Sequence, residues 1–157
     1  MKPATIARGF TLIELLVVVA LLAIASATVV MAMRDPQATQ LEREAERLAA
    51  LLEAARAEAR ASGAAVYWQP ASRGSMLPNA DEHFRFVGLP PRQALPRRWL
   101  GDAVPGVEIL SGAPMLQLGP EPVIGAQSLR LTLGRQQIVL RTDGLGPFEL
   151  QSASEAP

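Results

Sequence analysis

The sequence predicts an α+β fold, in which a long N-terminal helix in two halves precedes a set of antiparallel strands. Residues 10–62 carry helical patterns, apolar throughout in the first half and amphipathic in the second, whereas short alternating runs follow Gly63. A helical region followed by a series of strands is typical of α+β proteins. We expect the amphipathic half of the helix to pack on an antiparallel sheet or sandwich.

Size and composition limit the chain to one globular domain beside the apolar segment. Of the 157 residues, about 120 remain once that segment is set aside, which is enough for one core. Fifteen basic and fifteen acidic residues give no net charge, so the charge balance does not indicate nucleic acid or an acidic substrate. With no cysteine, the chain has neither disulfides nor thiolate metal ligands.

The apolar segment is long enough to cross a membrane. Residues 10–33 contain one charged residue, Glu14, and a helix of that length reaches about 36 Å against about 30 Å for a hydrocarbon core. We predict a transmembrane helix over residues 10–35. Lys2 and Arg8 precede the helix, so the positive-inside rule leaves the N-terminus in the bacterial cytoplasm and places the rest of the chain in the periplasm.

Three interpretations of this segment compete. A cleaved secretory signal offers small residues near Ala25, but its apolar region should end there, and this one continues to Met33. A plain signal anchor explains the length but neither Glu14 nor the junction before it. That junction, "RGFTLIE" from Arg8, has a basic residue, a glycine, an aromatic residue and an acid at the fifth position after the glycine. It resembles the type IV prepilin signature, which type IV pilins and type II secretion pseudopilins share.

The resemblance has direct implications for processing and fold. It implies that residues 1–9 are a leader, that a prepilin peptidase cleaves between Gly9 and Phe10, and that the new amine of Phe10 is N-methylated. It also implies a pilin-like arrangement, in which a long N-terminal helix, made of a membrane half and an amphipathic half, packs on an antiparallel sheet or sandwich.

The presence of Glu14 in an apolar segment requires an explanation, because a carboxylate near the bilayer centre costs about 2.5 to 3.5 kcal/mol on insertion scales. In a bundle of such helices it could pair with the free amine of Phe10 in a neighbouring subunit, which offsets the burial of both charges. Glu14 would then set the register of assembly. The alternative is that Glu14 reaches the headgroups from its place near the helix start.

A second helix is predicted over about residues 37–62. Asp35 and Pro36 interrupt the first helix, Thr39 and Glu42 form a capping-box pattern, and Gly63 is a plausible stop. An apolar face recurs at helical spacing, which favours docking on the chain's own sheet over a coiled coil: Leu41, Ala45, Leu48, Leu52, Ala55 and Ala59. The charged residues of the other faces are expected to form a solvated surface with local ion pairs: Arg43, Glu46, Glu53, Arg56, Glu58 and Arg60.

Seven short strands are predicted after Gly63, at residues 65–69, 83–89, 107–110, 115–119, 128–134, 136–142 and 147–151. Gly134 with Arg135 predicts a tight hairpin, and Asp143 with Gly144 a turn before the last strand. Most prolines fall between residues 69 and 127, so this middle should be rich in loops with short edge strands. We expect partner specificity to lie there.

The globular part resembles the minor pseudopilin H group of type II secretion, the GspH/FimT-like family. The segments that carry the resemblance are "LEREAERLAALLEAARAEARASG" running into "AAVYW", "LGPEPVIGAQSLRLTL" and "LRTDGLGPFELQ". The resemblance implies that residues 36–157 form a periplasmic pseudopilin domain, a structural component near the tip of a pseudopilus that helps export folded proteins through the outer-membrane secretin. The implied partners are the other minor pseudopilins, the major pseudopilin, the prepilin peptidase and the inner-membrane assembly platform. No catalytic residue, cofactor or metal is implied.

A minor type IV pilin that acts in pilus assembly or DNA uptake is the alternative. The basic cluster with an aromatic neighbour is Arg92, Arg97, Arg98 and Trp99, which could pair with and stack on a single strand. A solvated loop or a partner contact is the preferred interpretation, so we expect no nucleic-acid binding. We also expect no enzyme activity, because His83 is the only histidine and the glycines near the C-terminus lack a following helix.

Overall fold

The structure, a computed structural model, describes residues 11–32, 35–71 and 82–152. The chain divides after Asp35 into two compact units, residues 1–35 and 36–157. Gly9 and Phe10, the predicted cleavage site, lie outside the described residues.

The first unit contains helix α1, Leu12–Ala32. Thr11 caps its start, since the backbone N–H of Glu14 donates to the Thr11 hydroxyl at 3.3 Å and to the Thr11 carbonyl at 3.1 Å. Apolar side chains between Leu12 and Ile24 are exposed on all faces, with Leu12 at 81 %. Across the described parts of the chain, no helix is long and apolar enough to span a membrane.

Helix α2, Pro36–Ser62, opens the second unit. Asp35 is not helical, which confirms the predicted interruption, and Gly63 ends the helix at φ +68°, in the left-handed region that favours glycine. The predicted capping box is wrong: Thr39 lies inside α2, because Pro36 already has the φ angle of a first helical residue. The predicted apolar face is confirmed, and all six of its residues are buried.

Within the described residues, seven strands form two antiparallel sheets, and each strand lies within two residues of its predicted position. Their bounds are β1 Val66–Pro70, β2 Phe84–Val87, β3 Gly106–Ile109, β4 Leu116–Gly119, β5 Gln127–Leu133, β6 Gln136–Thr142 and β7 Glu149–Ser152. One sheet has the order β2-β1-β4 and the other β3-β5-β6-β7. The α+β, pilin-like fold class is therefore confirmed.

The proline-rich middle supplies edge strands, as predicted: β2 and β4 border the first sheet and β3 borders the second. Both predicted turns are also present. Gly134 and Arg135 connect β5 to β6, with positive φ only at the glycine, as in a type II′ turn. Gly144, at φ +96°, lies in the turn before β7.

Helix α2 packs against strands of both sheets, and the hydrophobic core lies between the helix and these strands. Leucines and alanines of α2 meet the inward residues of β1, β4, β5 and β6, which include Trp68, Leu118, Leu131 and Leu140. Gly119 lets the helix approach closely, since a Cβ there would come within 2.8 Å of the Ala59 methyl carbon. The fold therefore fixes α2 against both sheets along its apolar face.

Candidate functional site

Glu14 lies in the first turn of α1 and is exposed. The N–H groups of a first turn carry partial positive charge, so a carboxylate at this position is favoured by the helix dipole as well as by any partner. Phe10, whose amine is the predicted partner, lies outside the described residues. The assembly role of Glu14 therefore stays a prediction.

Glu44 is a buried carboxylate that holds a loop of the globular unit. Its side chain is 1 % exposed, and its Oε1 accepts hydrogen bonds from the backbone N–H groups of Leu100 at 2.6 Å and Gly101 at 2.8 Å. Arg47 donates from Nη1 to the carbonyl of Arg98 at 2.9 Å. We call residues 97–103 the Leu100 loop. Charge-assisted hydrogen bonds of this length are strong, so α2 fixes the loop.

Arg56 likewise fixes a second loop, through a side chain whose charge is opposite to that of Glu44. Its guanidinium, 1 % exposed, donates to the carbonyl of Gly144 at 2.6 Å and to that of Gly146 at 2.7 Å. Glu53 accepts from the N–H of Phe148 at 3.2 Å. We call residues 143–148 the Leu145 loop. The prediction that Arg56 belongs to a solvated surface is wrong, because these carbonyls replace its hydration.

The Leu145 loop is further ordered by its own side chains. Asp143 Oδ1 accepts from the N–H groups of Leu145 at 2.8 Å and Gly146 at 2.7 Å, and the Thr142 hydroxyl donates to the Gly146 carbonyl at 2.8 Å. The bond from Gly146, followed by that from Leu145, holds the pKa of Asp143 below its ordinary value of 3.8. Several hydrogen bonds therefore hold the backbone of this loop, while the side chain of Leu145 remains 69 % exposed.

The aromatic residue of the basic cluster in the middle region is buried in the core. Trp99 is 6 % exposed and packs edge to face on Phe84, with ring centroids 4.8 Å apart. Arg97 Nη1 forms an ion pair with Glu82 Oε1 at 2.8 Å. The hypothesis that a nucleic-acid base could stack on Trp99 is therefore wrong, because the ring is buried.

The histidine has a structural partner. His83 Nδ1 accepts a hydrogen bond from the backbone N–H of Trp99 at 3.0 Å, which connects the residue before β2 to the Leu100 loop. Within the described ranges, no group of three or more His, Cys, Asp or Glu side chains is arranged to hold a metal ion.

Spacing along α2 could have indicated the two buried charges. Glu44 follows Leu41 by three residues, and Arg56 precedes Ala59 by three, so each borders the buried face. A charged residue at the border of an apolar face either extends into solvent or finds a partner, and the sequence does not distinguish these outcomes. The backbone partners of Glu44 and Arg56 lie in loops 56 to 90 residues away along the chain.

Comparison with known protein families agrees with this architecture. The prokaryotic N-terminal methylation motif matches residues 6–30, and the type II transport protein GspH matches residues 44–155. No curated protein and no solved structure matches the chain. The second match covers almost all of the globular unit, including α2 from Glu44 onward and the strands described above, and well over half of the whole sequence. The chain therefore belongs to the GspH family of type II transport proteins.

Proposed function

We propose that this chain is a minor pseudopilin of the type II secretion system, located near the tip of the periplasmic pseudopilus. There it serves as a structural component that helps export folded proteins through the outer-membrane secretin. The observation that carries the proposal is the presence of a prepilin methylation motif and a GspH domain on one chain. The partners are the other minor pseudopilins, the major pseudopilin and the assembly platform.

In this proposal the N-terminal segment is a single-pass anchor of the inner membrane, and the globular unit lies in the periplasm. The exposed apolar side chains between Leu12 and Ile24 support this role, because apolar side chains on every face of a helix need lipid or other helices around them. Prepilin peptidase cleaves between Gly9 and Phe10, and Phe10 is then N-methylated. Glu14 pairs with the amine of a neighbouring Phe10 during assembly.

We further propose that the chain has no catalytic activity of its own. Two buried charged side chains of α2 bind loop backbone, Glu44 through Oε1 and Arg56 through Nη1 and Nη2. His83 is occupied by the N–H of Trp99. These side chains stabilise loops, which supports a structural role.

The test of the assembly role is Glu14→Ala in cells that express the complete secretion system. Cleavage after Gly9 should continue, since the cut site is intact, while co-purification with the other pseudopilins and secretion of folded proteins should fall. Glu46→Ala is the matched control, because Glu46 is an exposed carboxylate of α2 with no ion pair among the described residues. Normal co-purification of Glu14→Ala would contradict the register role.

A separate measurement distinguishes a type II secretion system from a DNA-uptake pilus. Deletion of the gene should stop secretion of folded proteins and leave DNA uptake unchanged. The full chain in detergent should bind duplex DNA weakly and with strong salt sensitivity. Tight DNA binding that depends on Arg97 and Arg98 would instead assign the chain to a DNA-uptake pilus.

A further inference from the structure

Strand β3, at one edge of the second sheet, leaves one side of its backbone without a partner. It pairs with β5 in an antiparallel ladder, and the ladder continues where the N–H of Leu110 donates to the carbonyl of Ser128 at 2.9 Å. Alternate residues of such a ladder point toward and away from the neighbouring strand, so the N–H and C=O groups of Val107 and Ile109 point away from β5. Within the described residues, no hydrogen bond reaches these four groups.

The edges of the first sheet, in contrast, are partly closed by the chain itself. On β4, the side-chain amide of Gln127 takes the place of a neighbouring strand: its Oε1 accepts from the N–H of Gln117 at 2.8 Å, and its Nε2 donates to the Gln117 carbonyl at 2.8 Å. On β2, the N–H of Phe84 donates to the carbonyl of Arg97 at 3.2 Å. A row of unpaired backbone groups is a template for another strand, and such cover prevents its addition. In the part of the chain that the structure describes, β3 has no such cover.

The apolar side chains of β3 also lack a neighbour on the open side. Val107 and Ile109 pack against the core but are only half-buried, whereas the leucines opposite them on β5 are fully buried. Just beyond the two ends of the strand, Val104 and Leu110 are 52 % and 38 % exposed. A strand placed beside β3 would therefore bury apolar surface as well as satisfy the open backbone groups.

The other face of β3 presents a carboxylate. Glu108 lies between Val107 and Ile109, so its side chain points to the opposite face of the sheet, where it is 64 % exposed. Its Oε2 forms an ion pair with Arg130 Nη1 on β5 at 2.7 Å. A basic residue on a strand at the open side of β3 would flank Glu108 from the other direction, and cross-strand pairs of opposite charge are favourable.

We propose that an extended segment of another pseudopilin binds along β3 and adds a fifth strand to the second sheet. Its backbone pairs with that of Val107 and Ile109, its apolar residues, spaced two apart, extend the core beside them, and a basic residue between these lies next to Glu108. This inference rests on the proposed function, which supplies the partner, and it names the surface and the mode of contact. β3 also belongs to the proline-rich middle, where the sequence predicts partner specificity.

Hydrogen exchange of backbone amides tests the contact without any substitution. The full chain in detergent is measured alone and in the complex purified from cells that express the complete secretion system. Alone, the N–H groups of Val107 and Ile109 should exchange rapidly, whereas that of Glu108, which belongs to the ladder with β5, should exchange slowly. In the complex, the exchange of Val107 and Ile109 should slow by about tenfold or more.

Three results would overturn the proposal. Unchanged exchange of both groups in a complex that retains the other pseudopilins would exclude strand addition and leave the proposed function standing. Slow exchange in the chain alone would show that this chain, or a second copy of it, already covers the edge. Failure to purify with any other pseudopilin would remove both the contact and the proposed function.

Proline substitution separates the backbone contact from the side chains. Val107→Pro removes an N–H that the ladder with β5 does not use, so the urea midpoint of the globular unit should fall by less than about 0.5 M. Recovery of at least one other pseudopilin with the tagged chain should nevertheless fall several-fold. Val107→Thr keeps both the N–H and the β-branched shape, so this matched control should recover its partners normally. Normal recovery with Val107→Pro would contradict strand addition.

Charge reversal tests the chemistry of the partner. Glu108→Lys leaves the backbone of β3 unchanged but places a cation beside the basic residue of the added strand. Recovery of the same pseudopilin should again fall several-fold, because like charges directly opposite each other on neighbouring strands are unfavourable. Unchanged recovery with Glu108→Lys would exclude the basic residue from the proposed contact.

Discussion

Replacement of Arg56 by methionine tests whether a buried charge on α2 stabilises the globular unit. Methionine keeps an unbranched apolar stem in the space of the arginine side chain and removes only the guanidinium. That group makes two short hydrogen bonds, at 2.6 Å to Gly144 and 2.7 Å to Gly146. Hydrogen bonds to charged groups contribute about 1.5 to 3 kcal/mol each, so the gross loss is about 3 to 6 kcal/mol.

Two features reduce this figure. Each carbonyl keeps another donor, because the N–H of Ile124 donates to Gly144 at 3.2 Å and the hydroxyl of Thr142 donates to Gly146 at 2.8 Å. The variant also no longer bears the desolvation of a buried guanidinium, which costs several kcal/mol. We therefore expect the free energy of unfolding to fall by about 2 kcal/mol.

Tryptophan fluorescence during urea unfolding measures the change. Trp68 and Trp99 are the two tryptophans of the chain, and both lie in the core of the globular unit, so the signal reports that unit in the full chain in detergent. A loss of about 2 kcal/mol should lower the urea midpoint by about 1 M. Arg60→Met, an exposed control on the same helix, should change the free energy by less than about 0.5 kcal/mol. A midpoint for Arg56→Met equal to or above that of the unaltered chain would refute a stabilising role.

Two further predictions use the same assay. Glu44→Met should lower the free energy of unfolding by about 1 to 3 kcal/mol, because it leaves the N–H groups of Leu100 and Gly101 without their acceptor. Glu44→Gln keeps an acceptor oxygen and should therefore lower this free energy by less. Equal losses in the two variants would contradict the assigned role of Glu44. Asp143 has a lowered pKa in the folded chain, so its contribution is complete above the ordinary pKa of 3.8 and disappears as the pH falls through the folded value. Urea midpoints from about pH 5 to about pH 2 should therefore fall less steeply for Asp143→Asn than for the unaltered chain, and parallel curves would exclude the carboxylate as the cause.

Local sequence patterns were sufficient for the helices and strands. The alternation of leucines in β5, the glycine after it and the alternation in β6 specify a hairpin without reference to the rest of the chain. The six-residue apolar face of α2 likewise identifies its buried side. Where two local signals competed, at Pro36 and Thr39, the rigid proline ring determined the start of the helix.

Features that depend on distant contacts could not be predicted. Trp99 lies in a proline-rich stretch with no periodicity, and its burial depends on contacts with Phe84 and His83. The division of the strands into two sheets pairs β1 with β4 and β3 with β5, neither of which is consecutive along the chain. Glu44 and Arg56 became recognisable as loop clamps only when their backbone partners were known.

The packing of α2 against both sheets has a mechanical consequence. A force that enters the globular unit through this helix is distributed at once over strands β1, β4, β5, β6 and β7, since all five contact it. The close approach of Ala59 to Gly119 leaves little space for the helix to slide at that point. Under an axial load, we expect the helix to move together with its two sheets and with the two loops that Glu44 and Arg56 bind.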